Sequence, residues 1–363
     1  GLAKRSNAKP IIINGDMAVA QRATSVTGHS AVSYTTVDRF KTVCETGTYT
    51  VIQESLTSGA AYLAGFKNAL RLDTTTAEAT AGSAGEQTTI EQRIEGQNLQ
   101  AFKKGTSSAE KYTLAFWVKA SKTGSNLQVN LRDGDNSRQI GGTYSISSAD
   151  TWEHKVVNYA ADTTGAFGDD NGASLTIEWF LDGGGNYSGG AVPTAWEANN
   201  NANRNVTNFD LAGNTANDWA ITGVQLEVGE FSSTTLPPFQ FEDFGDNLQR
   251  CLRYYYRANG RCGFGAGTGF VQDGDVKAYI YHTMPVAPRT EFSFSLSGTS
   301  GAIITIDGNA GDDVQSISSI HADSFPFKDY EFNFVTDGSS ITDKAGMGIR
   351  INASNYIECD AEL

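Results

Sequence analysis

The feature that most constrains the fold is a series of short runs in which apolar and polar residues alternate, separated by glycine- and aspartate-rich turns. In the run 111–120 (KYTLAFWVKA), Leu114, Phe116 and Val118 occupy one face, because successive side chains of a strand point to opposite sides. We predict about eight strands over residues 11–240, among them 48–53, 88–96, 111–120, 126–132, 152–159, 174–181 and 218–228. Helical periodicity is nearly absent there, which is typical of a β-sandwich or barrel.

The pattern changes after the Pro-Pro pair at 237–238. The apolar residues that follow recur at helical spacing and predict a short helix, with one face formed by Leu248, Cys251, Leu252 and Tyr255. Strand-like alternation then returns. We therefore predict an all-β chain with a flexible N-terminal arm at 1–10, a first β domain at 11–240, and a second, smaller β-sandwich at 241–363 that begins with the short junction helix.

The composition argues against two classes of partner. The 363 residues carry 27 Lys and Arg against 41 Asp and Glu, which gives a formal net charge of −14. A surface this acidic repels phosphate backbones, so nucleic acid is not expected as a partner. No run approaches the ~20 apolar residues of a transmembrane helix, so membrane insertion is not expected. The basic start at 1–10 lacks the apolar stretch of a secretory signal.

The cysteines predict neither a metal site nor a disulfide framework. The chain has four, widely spaced and without a CxxC pair: Cys44, Cys251, Cys262 and Cys359. Zinc sites and disulfide scaffolds both need denser cysteine patterns. We predict reduced, mostly buried thiols, consistent with assembly in a cytoplasm.

Signals of catalysis are weak. The chain has no GxSxG, GxxxxGK[ST] or HExxH sequence. Its four histidines share no metal-ligand spacing: His29, His154, His282 and His321. Paired carboxylates near an aromatic strand, such as Glu178 and Asp182, are the residues that a glycosidase would use. In a chain this acidic such pairs arise by chance, so we predict a protein that is not an enzyme.

Aromatic residues in the polar region 183–217 give a stronger functional signal. Flat rings beside amide groups suit the apolar faces and hydroxyls of sugars, and Trp179, Tyr187, Trp196 and Asn186 lie in or near this region. We predict them as carbohydrate contacts; the alternatives are packing in a core or at an interface. Trp117 and Trp219 lie inside strands, and we predict both as core residues.

A cation site is a further hypothesis. Residues 133–137 (DGDNS) resemble half of a calcium-binding loop, with oxygen ligands at alternate positions. The downstream bidentate glutamate of an EF-hand is missing, so a plain turn between two strands is the favoured interpretation.

Several segments, in this order along most of the chain, resemble a family of phage and prophage tail-fibre and appendage proteins. The first eight are 12–22 (IINGDMAVAQR), 34–40 (YTTVDRF), 92–95 (QRIE), 114–120 (LAFWVKA), 219–229 (WAITGVQLEVG), 241–244 (FEDF), 250–256 (RCLRYYY) and the C-terminal 359–363 (CDAEL). Phe40 stands where the family usually has tryptophan. A ninth segment, 284–289 (MPVAPR), matches only in a shuffled form.

The resemblance implies a jelly-roll β-sandwich like family 4/9 carbohydrate-binding modules, followed by the second β domain as a possible oligomerisation domain. It further implies a virion structural protein, a tail fibre, spike or other appendage, which forms a homotrimer, binds other virion proteins and contacts host surface polysaccharide. A structural calcium, expected in related modules, would fall at Asp16 and Glu227. Two alternatives stay open: a capsid decoration, head fibre or connector protein without a sugar site, and a glycan-degrading enzyme.

Overall fold

A computed structural model describes residues 9–78, 83–259, 277–296, 302–306, 309–321, 329–336, 347–351 and 356–363. The chain divides into two compact units: residues 1–247 together with Leu363, and residues 248–362. Every strand pairing in the described residues is antiparallel. The predicted all-β class is therefore confirmed.

The first unit is a sandwich of two sheets. Its strands are β1 Ser25–His29, β2 Val32–Tyr34, β3 Lys41–Cys44, β4 Thr48–Ser55, β5 Asn68–Thr76, β6 Gln87–Glu95, β7 Tyr112–Ala120, β8 Gly124–Asp133, β9 Arg138–Ile146, β10 Glu153–Tyr159, β11 Ala173–Gly183, β12 Glu197–Ala198 and β13 Asp218–Val228. One sheet has six strands in the order β1-β4-β5-β13-β7-β10, and the other has seven in the order β12-β9-β8-β11-β6-β3-β2.

Alternation along the strands builds the core between these sheets. Leu114, Phe116 and Val118 on β7 are all fully buried, as their spacing predicts. The Phe116 ring meets Tyr144 of the opposite sheet edge-on, with centroids 5.2 Å apart. Burying a side chain of this size contributes roughly 1.5–3 kcal/mol. Trp219 on β13 is also fully buried, so its prediction as a core residue is confirmed.

Helices are few and short in the residues that the structure describes. The α-helices are α1 Ala60–Leu63 and α2 Phe244–Leu252, and the 3-10 turns are Gly96–Asn98, Gln100–Phe102, Gly185–Tyr187 and Asn201–Asn203. Helix α2 is the junction helix expected from the apolar spacing. The two compact units divide within α2, between residues 247 and 248. Phe239 and Phe241 belong to the first unit, where both rings pack on Phe66. The domain boundary after residue 240 stays a prediction.

The second unit also consists of antiparallel strands. They are β14 Tyr255–Asn259, β15 Lys277–Thr283, β16 Ser293–Leu296, β17 Ala302–Ile306, β18 Asn309–His321, β19 Asp329–Thr336, β20 Met347–Ile351 and β21 Tyr356–Asp360. They form a three-stranded sheet in the order β14-β21-β16 and a five-stranded sheet in the order β15-β19-β18-β17-β20.

The sequence also predicts the state of the cysteines, the N-terminal arm and the absence of membrane insertion. Cys44, Cys251 and Cys359 are buried, as expected. Cys262 and residues 1–8 of the predicted arm lie outside the described residues. Within the described part of the chain, no helix combines the length and apolar character that a membrane crossing needs.

Candidate functional site

Trp179 lies in the core between the two sheets of the first unit, not at its surface. Its side chain is fully buried, and its ring meets Phe116 edge-on with centroids 5.7 Å apart. Alternation along β11 places Trp179 on the inward side and its neighbours Glu178 and Phe180 on the outward side. The prediction that Trp179 contacts a sugar is therefore wrong, and the alternative of a core residue holds.

Tyr187 and Trp196 are also buried, each with 8% of its surface exposed. The Tyr187 hydroxyl donates to the Gly85 carbonyl at 3.0 Å, and the Trp196 indole nitrogen donates to the Ala160 carbonyl at 2.8 Å. Their polar groups are satisfied inside the protein, and neither ring presents a face on which a sugar could stack. The predicted sugar contacts at Tyr187 and Trp196 are wrong for this reason. Of the four predicted contacts, Asn186 alone is exposed.

Residues 184–217 are here called the covering segment. Its part at 203–206 lies against the outer face of the seven-stranded sheet, whereas other parts reach the core through Trp196, Phe209, Leu211 and Ala212. Gln128 on β8 donates its amide to the Asn203 carbonyl at 2.6 Å and accepts from the Val206 backbone at 3.0 Å. Two residues further along the strand and on the same face, Asn130 donates to the Arg204 carbonyl at 2.9 Å. These side chains replace water as hydrogen-bond partners of the segment's backbone, so a long polar loop packs on a sheet.

A buried ion pair joins the covering segment to the centre of that face. The guanidinium of Arg204 binds both carboxylate oxygens of Glu178, whose side chain is fully buried, and Arg132 and Asn130 donate to the same carboxylate at 3.3 Å and 3.0 Å. Burial alone raises the pKa of Glu178, but the charge and hydrogen bonds of Arg204, then of Arg132 and Asn130, hold it below its ordinary value. Glu178 therefore stays ionised, whereas a general acid must hold a proton near neutral pH.

Asp182, the other carboxylate suggested for hydrolysis, also has structural partners. It is buried near the end of β11 and accepts hydrogen bonds from the Asn208 side chain at 2.9 Å and from the Ala212 backbone at 2.9 Å. These contacts attach the far end of the covering segment to the sheet. The geometry gives Glu178 and Asp182 roles in closing this face.

The outer face of the six-stranded sheet is different, because aromatic side chains cover it. This aromatic patch consists of Tyr62, Phe66, Trp117, Trp152, Phe239 and Phe241. Gly223 on β13 has a φ of +61°, which favours glycine, and a Cβ there would lie 2.6 Å from the Phe66 ring and 2.9 Å from the Trp117 ring. Phe241 is 52% exposed, so the patch extends into solvent.

Trp117 occupies the position on β7 that the sequence pattern assigns to the outward side. It is half-buried, and the ring of His154 on β10 lies 5.1 Å from it, centroid to centroid. Its prediction as a core residue is wrong. The signal was present in the alternation itself, since Phe116 and Val118 are inward and Trp117 stands between them.

The predicted calcium residues are occupied by other contacts in the first unit. Asp16 accepts from the Asn247 side chain at 3.2 Å, and Glu227 lies half-buried on β13 opposite Thr113. Burial is the main cause that raises the pKa of Asp16. In the part of the chain that the structure covers, no three His, Cys, Asp or Glu side chains are grouped to hold a metal ion. Calcium at Asp16 and Glu227 stays a prediction.

Comparison with known proteins gives no family assignment. No family model matches the chain, and no curated protein matches it.

Solved structures resemble it only distantly. They include an enzymatically active domain of tailspike protein 4 from bacteriophage CBA120, at 13% identity and a TM-score of 0.29, covering 60% of this chain and 21% of that one. A putative sugar binding protein from Bacteroides thetaiotaomicron matches at 15% identity and a TM-score of 0.32, covering 61% and 100%. A CBM22-1 xylan-binding domain from Paenibacillus barcinonensis matches at 10% identity and a TM-score of 0.27, covering 57% and 94%. At these scores the likenesses carry no conclusion about function.

Proposed function

We propose that this chain is a non-enzymatic structural protein of a bacteriophage particle, part of a tail fibre, spike or other appendage. Support for the virion assignment comes from the segments that resemble phage appendage proteins, which follow the family's order through both units. In this proposal the protein is assembled in the host cytoplasm, forms a homotrimer, and resides in the virion, where it binds other virion proteins.

One observation carries the non-enzymatic part of the proposal. The two carboxylates best placed in sequence for glycoside hydrolysis, Glu178 and Asp182, are buried and bound by donors from the chain's own covering segment. A glycosidase needs one carboxyl group that carries a proton and a cleft that admits the sugar between two such groups. Here the Arg204 side chain occupies the space in front of Glu178.

The aromatic patch is the surface that the proposal assigns to protein contacts. Aromatic side chains are enriched where protein interfaces are buried, and exposed apolar patches mark such sites. Phe241 is 52% exposed and Leu63, on the adjacent helix α1, is 84% exposed. Phenylalanine and leucine have no hydrogen-bonding group for sugar hydroxyls, so these two positions favour a protein partner.

The virion assignment is tested on phage particles. Particles purified from the strain that carries this gene are analysed by mass spectrometry and labelled with antibodies to the chain for electron microscopy. We expect the protein at a fixed ratio to the other particle proteins, with label on an appendage. Recovery of the chain only in the soluble fraction of the lysate would overturn the proposal.

A second candidate function, contact with host surface glycans, rests on Trp117. Its half-buried indole lies beside the His154 ring, and the charged side chains of Lys119 and Glu54, 3.5 Å apart, lie nearby on the same sheet. A ring bordered by polar groups is the arrangement that binds sugars. Binding of host polysaccharide should then fall about tenfold or more in Trp117→Ala, since losing a ring contact costs roughly 1.4 kcal/mol. Phe241→Ser is the control and should bind the polysaccharide as tightly as the wild-type chain. If Trp117→Ala also binds as tightly as the wild-type chain, this candidate function is excluded.

A further inference from the structure

The first unit contains a fully buried lysine whose ammonium group is surrounded by oxygen atoms. The Lys104 Nζ atom lies 2.5 Å from Asp133 Oδ2 and 3.0 Å from Asp162 Oδ2. It also donates to the backbone carbonyl oxygens of Thr164 at 3.0 Å and Gly165 at 2.7 Å. None of the lysine side chain is exposed. Two carboxylates and two carbonyls around one positive charge form what we call the oxygen cage.

Two segments supply the oxygens of this cage, the end of β8 and the loop at 160–172, and further hydrogen bonds set their conformations. The second oxygen of Asp133 accepts from the backbones of Asp135 and Asn136, both at 3.0 Å, which makes a tight turn after β8. Gly165 has a φ of +70°, and a Cβ there would lie 2.5 Å from the Asn136 side chain. Only glycine fits at that position, so the loop that carries the two carbonyls is held against the turn.

The charges around the cage balance. Arg138 binds Asp162 through Nε at 2.8 Å, so two cations, Lys104 and Arg138, face two anions, Asp133 and Asp162. An ammonium group is stable in a buried site only when such partners replace its hydration. Removing the Lys104 charge would leave a buried set of hard oxygen ligands with a net negative charge.

Aromatic rings close the remaining sides. The rings of Phe167 and Trp196 each have their centroid 5.2 Å from the Lys104 Nζ atom. This contact explains why Trp196, predicted to bind sugar, is turned inward, since a ring face attracts a cation. The segment that closes the outer face of the seven-stranded sheet is therefore attached at this point as well.

We propose that Lys104 is the structural cation of the first unit, and that its ammonium occupies a site of calcium-binding type. Calcium is bound in proteins by carboxylate and carbonyl oxygens at 2.3–2.6 Å, usually six to eight of them. The oxygen cage provides four of these ligands. In a variant with a shorter side chain at position 104, water molecules in the vacated space would provide the others. Asp133 belongs to the segment 133–137 that resembles half of a calcium loop, and in this proposal Lys104 takes the position of the calcium ion. The chain then folds without a divalent ion in the oxygen cage.

The test compares the wild-type chain with Lys104→Ala in thermal unfolding, with about 10 mM calcium or with chelator. The wild-type Tm should be the same in both conditions. Lys104→Ala should lower Tm by about 10 °C in chelator, because two buried carboxylates lose a partner. Calcium should then raise the Tm of the variant by about 5 °C, and magnesium by less, since it demands stricter geometry.

Two controls separate cation binding from a general loss of packing. Lys104→Met fills the space without a charge, so it should be destabilised and should not respond to calcium. Lys103→Ala removes the neighbouring exposed lysine, which pairs with Glu110 at the surface at 2.8 Å, and should leave Tm nearly unchanged. A folded Lys104→Ala protein that ignores calcium overturns the proposal.

If Lys104→Ala does not accumulate as folded protein, it is refolded with and without calcium. Calcium must then restore its folding, and failure to do so counts against the proposal. The wild-type chain provides an independent experiment. Calorimetric titration of the wild-type chain with calcium should show no binding that depends on Asp133. Binding that Asp133→Asn abolishes would mean that the cage already takes a metal ion, which contradicts a lysine cation.

Discussion

The outer faces of the two sheets in the first unit are closed by opposite means. The seven-stranded sheet presents polar side chains, such as Gln128, Asn130 and Glu178, and each is matched by a backbone or side-chain group of the covering segment. The six-stranded sheet presents Trp117, and aromatic rings that pack on one another cover it. The first face depends on every partner being present, whereas the second depends on the apolar area removed from water.

This difference predicts how each face responds to change. A hydrogen-bonded charge network fails when one partner is removed, because the other charge remains buried. An aromatic cluster loses stability in proportion to the area and volume removed, and its exposed margin tolerates substitution. The four predictions below test this contrast.

Arg204→Ala should have the largest effect. It leaves the fully buried Glu178 without its main partner, and breaking such a pair costs about 3–5 kcal/mol of unfolding free energy. Urea unfolding measures the loss. The matched control is Lys111→Ala, which removes an ion pair with Glu230 at 2.6 Å whose side chains are about half exposed, and which should cost under ~1 kcal/mol. If both variants lose the same amount, the buried network is not what closes this face.

Phe66→Ala should have the next largest effect, on the aromatic patch. Its ring is buried and meets Phe239 edge-on, with centroids 4.9 Å apart, so its removal leaves a cavity that costs about 3 kcal/mol. Thermal or urea unfolding reports the change. Leu63→Ala, on the exposed side of α1, is the control and should change stability by less than about 0.5 kcal/mol. A loss below about 1 kcal/mol for Phe66→Ala would show that the patch can collapse around the missing ring.

As pH falls, the contribution of the aromatic patch to the unfolding free energy should decrease before that of the face closed by the covering segment. Burial lowers the pKa of His154 from its ordinary 6.5, so the unfolded chain binds the proton first and stability falls as pH drops below about 6.5. The lowered pKa of Glu178 contributes stability that is present above its ordinary 4.5 and is lost only as pH falls below that value. His154→Gln should flatten the unfolding free energy between pH 7 and 5. An unchanged slope would mean that another group, such as His29, dominates this range.

Phe241→Ser should have the smallest effect on stability, about 1 kcal/mol, because 52% of the side chain is exposed and only the rest packs on Phe66 and Phe239. If the patch is a protein interface, the same substitution should still reduce the oligomer fraction, measured by light scattering after size-exclusion chromatography. An oligomer that is unaffected by Phe241→Ser and by Leu63→Ser would place subunit contacts elsewhere.

Strand alternation predicted much of the fold, and its failures have identifiable causes. The predicted strand at 218–228 has the bounds of β13, and the predicted strand at 111–120 contains β7. Strand β9 was missed because Gly141 and Gly142 interrupt the pattern. The structure needs both glycines: a Cβ at Gly142 would lie 2.4 Å from the Val157 side chain, and one at Gly141 would lie 2.9 Å from the Val192 side chain. Glycine there reflects close packing from other elements, which local propensity does not report.

The candidate sites were less predictable than the strands. The rings of Tyr187 and Trp196 lie in a polar loop and looked exposed, yet the loop folds onto the seven-stranded sheet. No local pattern marks Arg204 as the partner of Glu178 or Lys104 as the partner of Asp133, because each pair is separated by many residues and forms only when the sheets are in place. Alternation predicts the side of β7 on which Trp117 lies. It does not predict which residues cover that side.

The amino-acid sequence is enough to predict an all-β chain, because residues that alternate with period 2 gather their apolar side chains on one face only as a strand. It also predicts the short junction helix and the burial of the cysteines that the structure describes. Tertiary structure decides which polar residues become buried partners and which aromatic residues reach solvent. The contribution of a buried charge or ring to stability depends on the protein groups that take the place of its hydrating water. Segments distant in the sequence supply those groups, so local patterns do not report them.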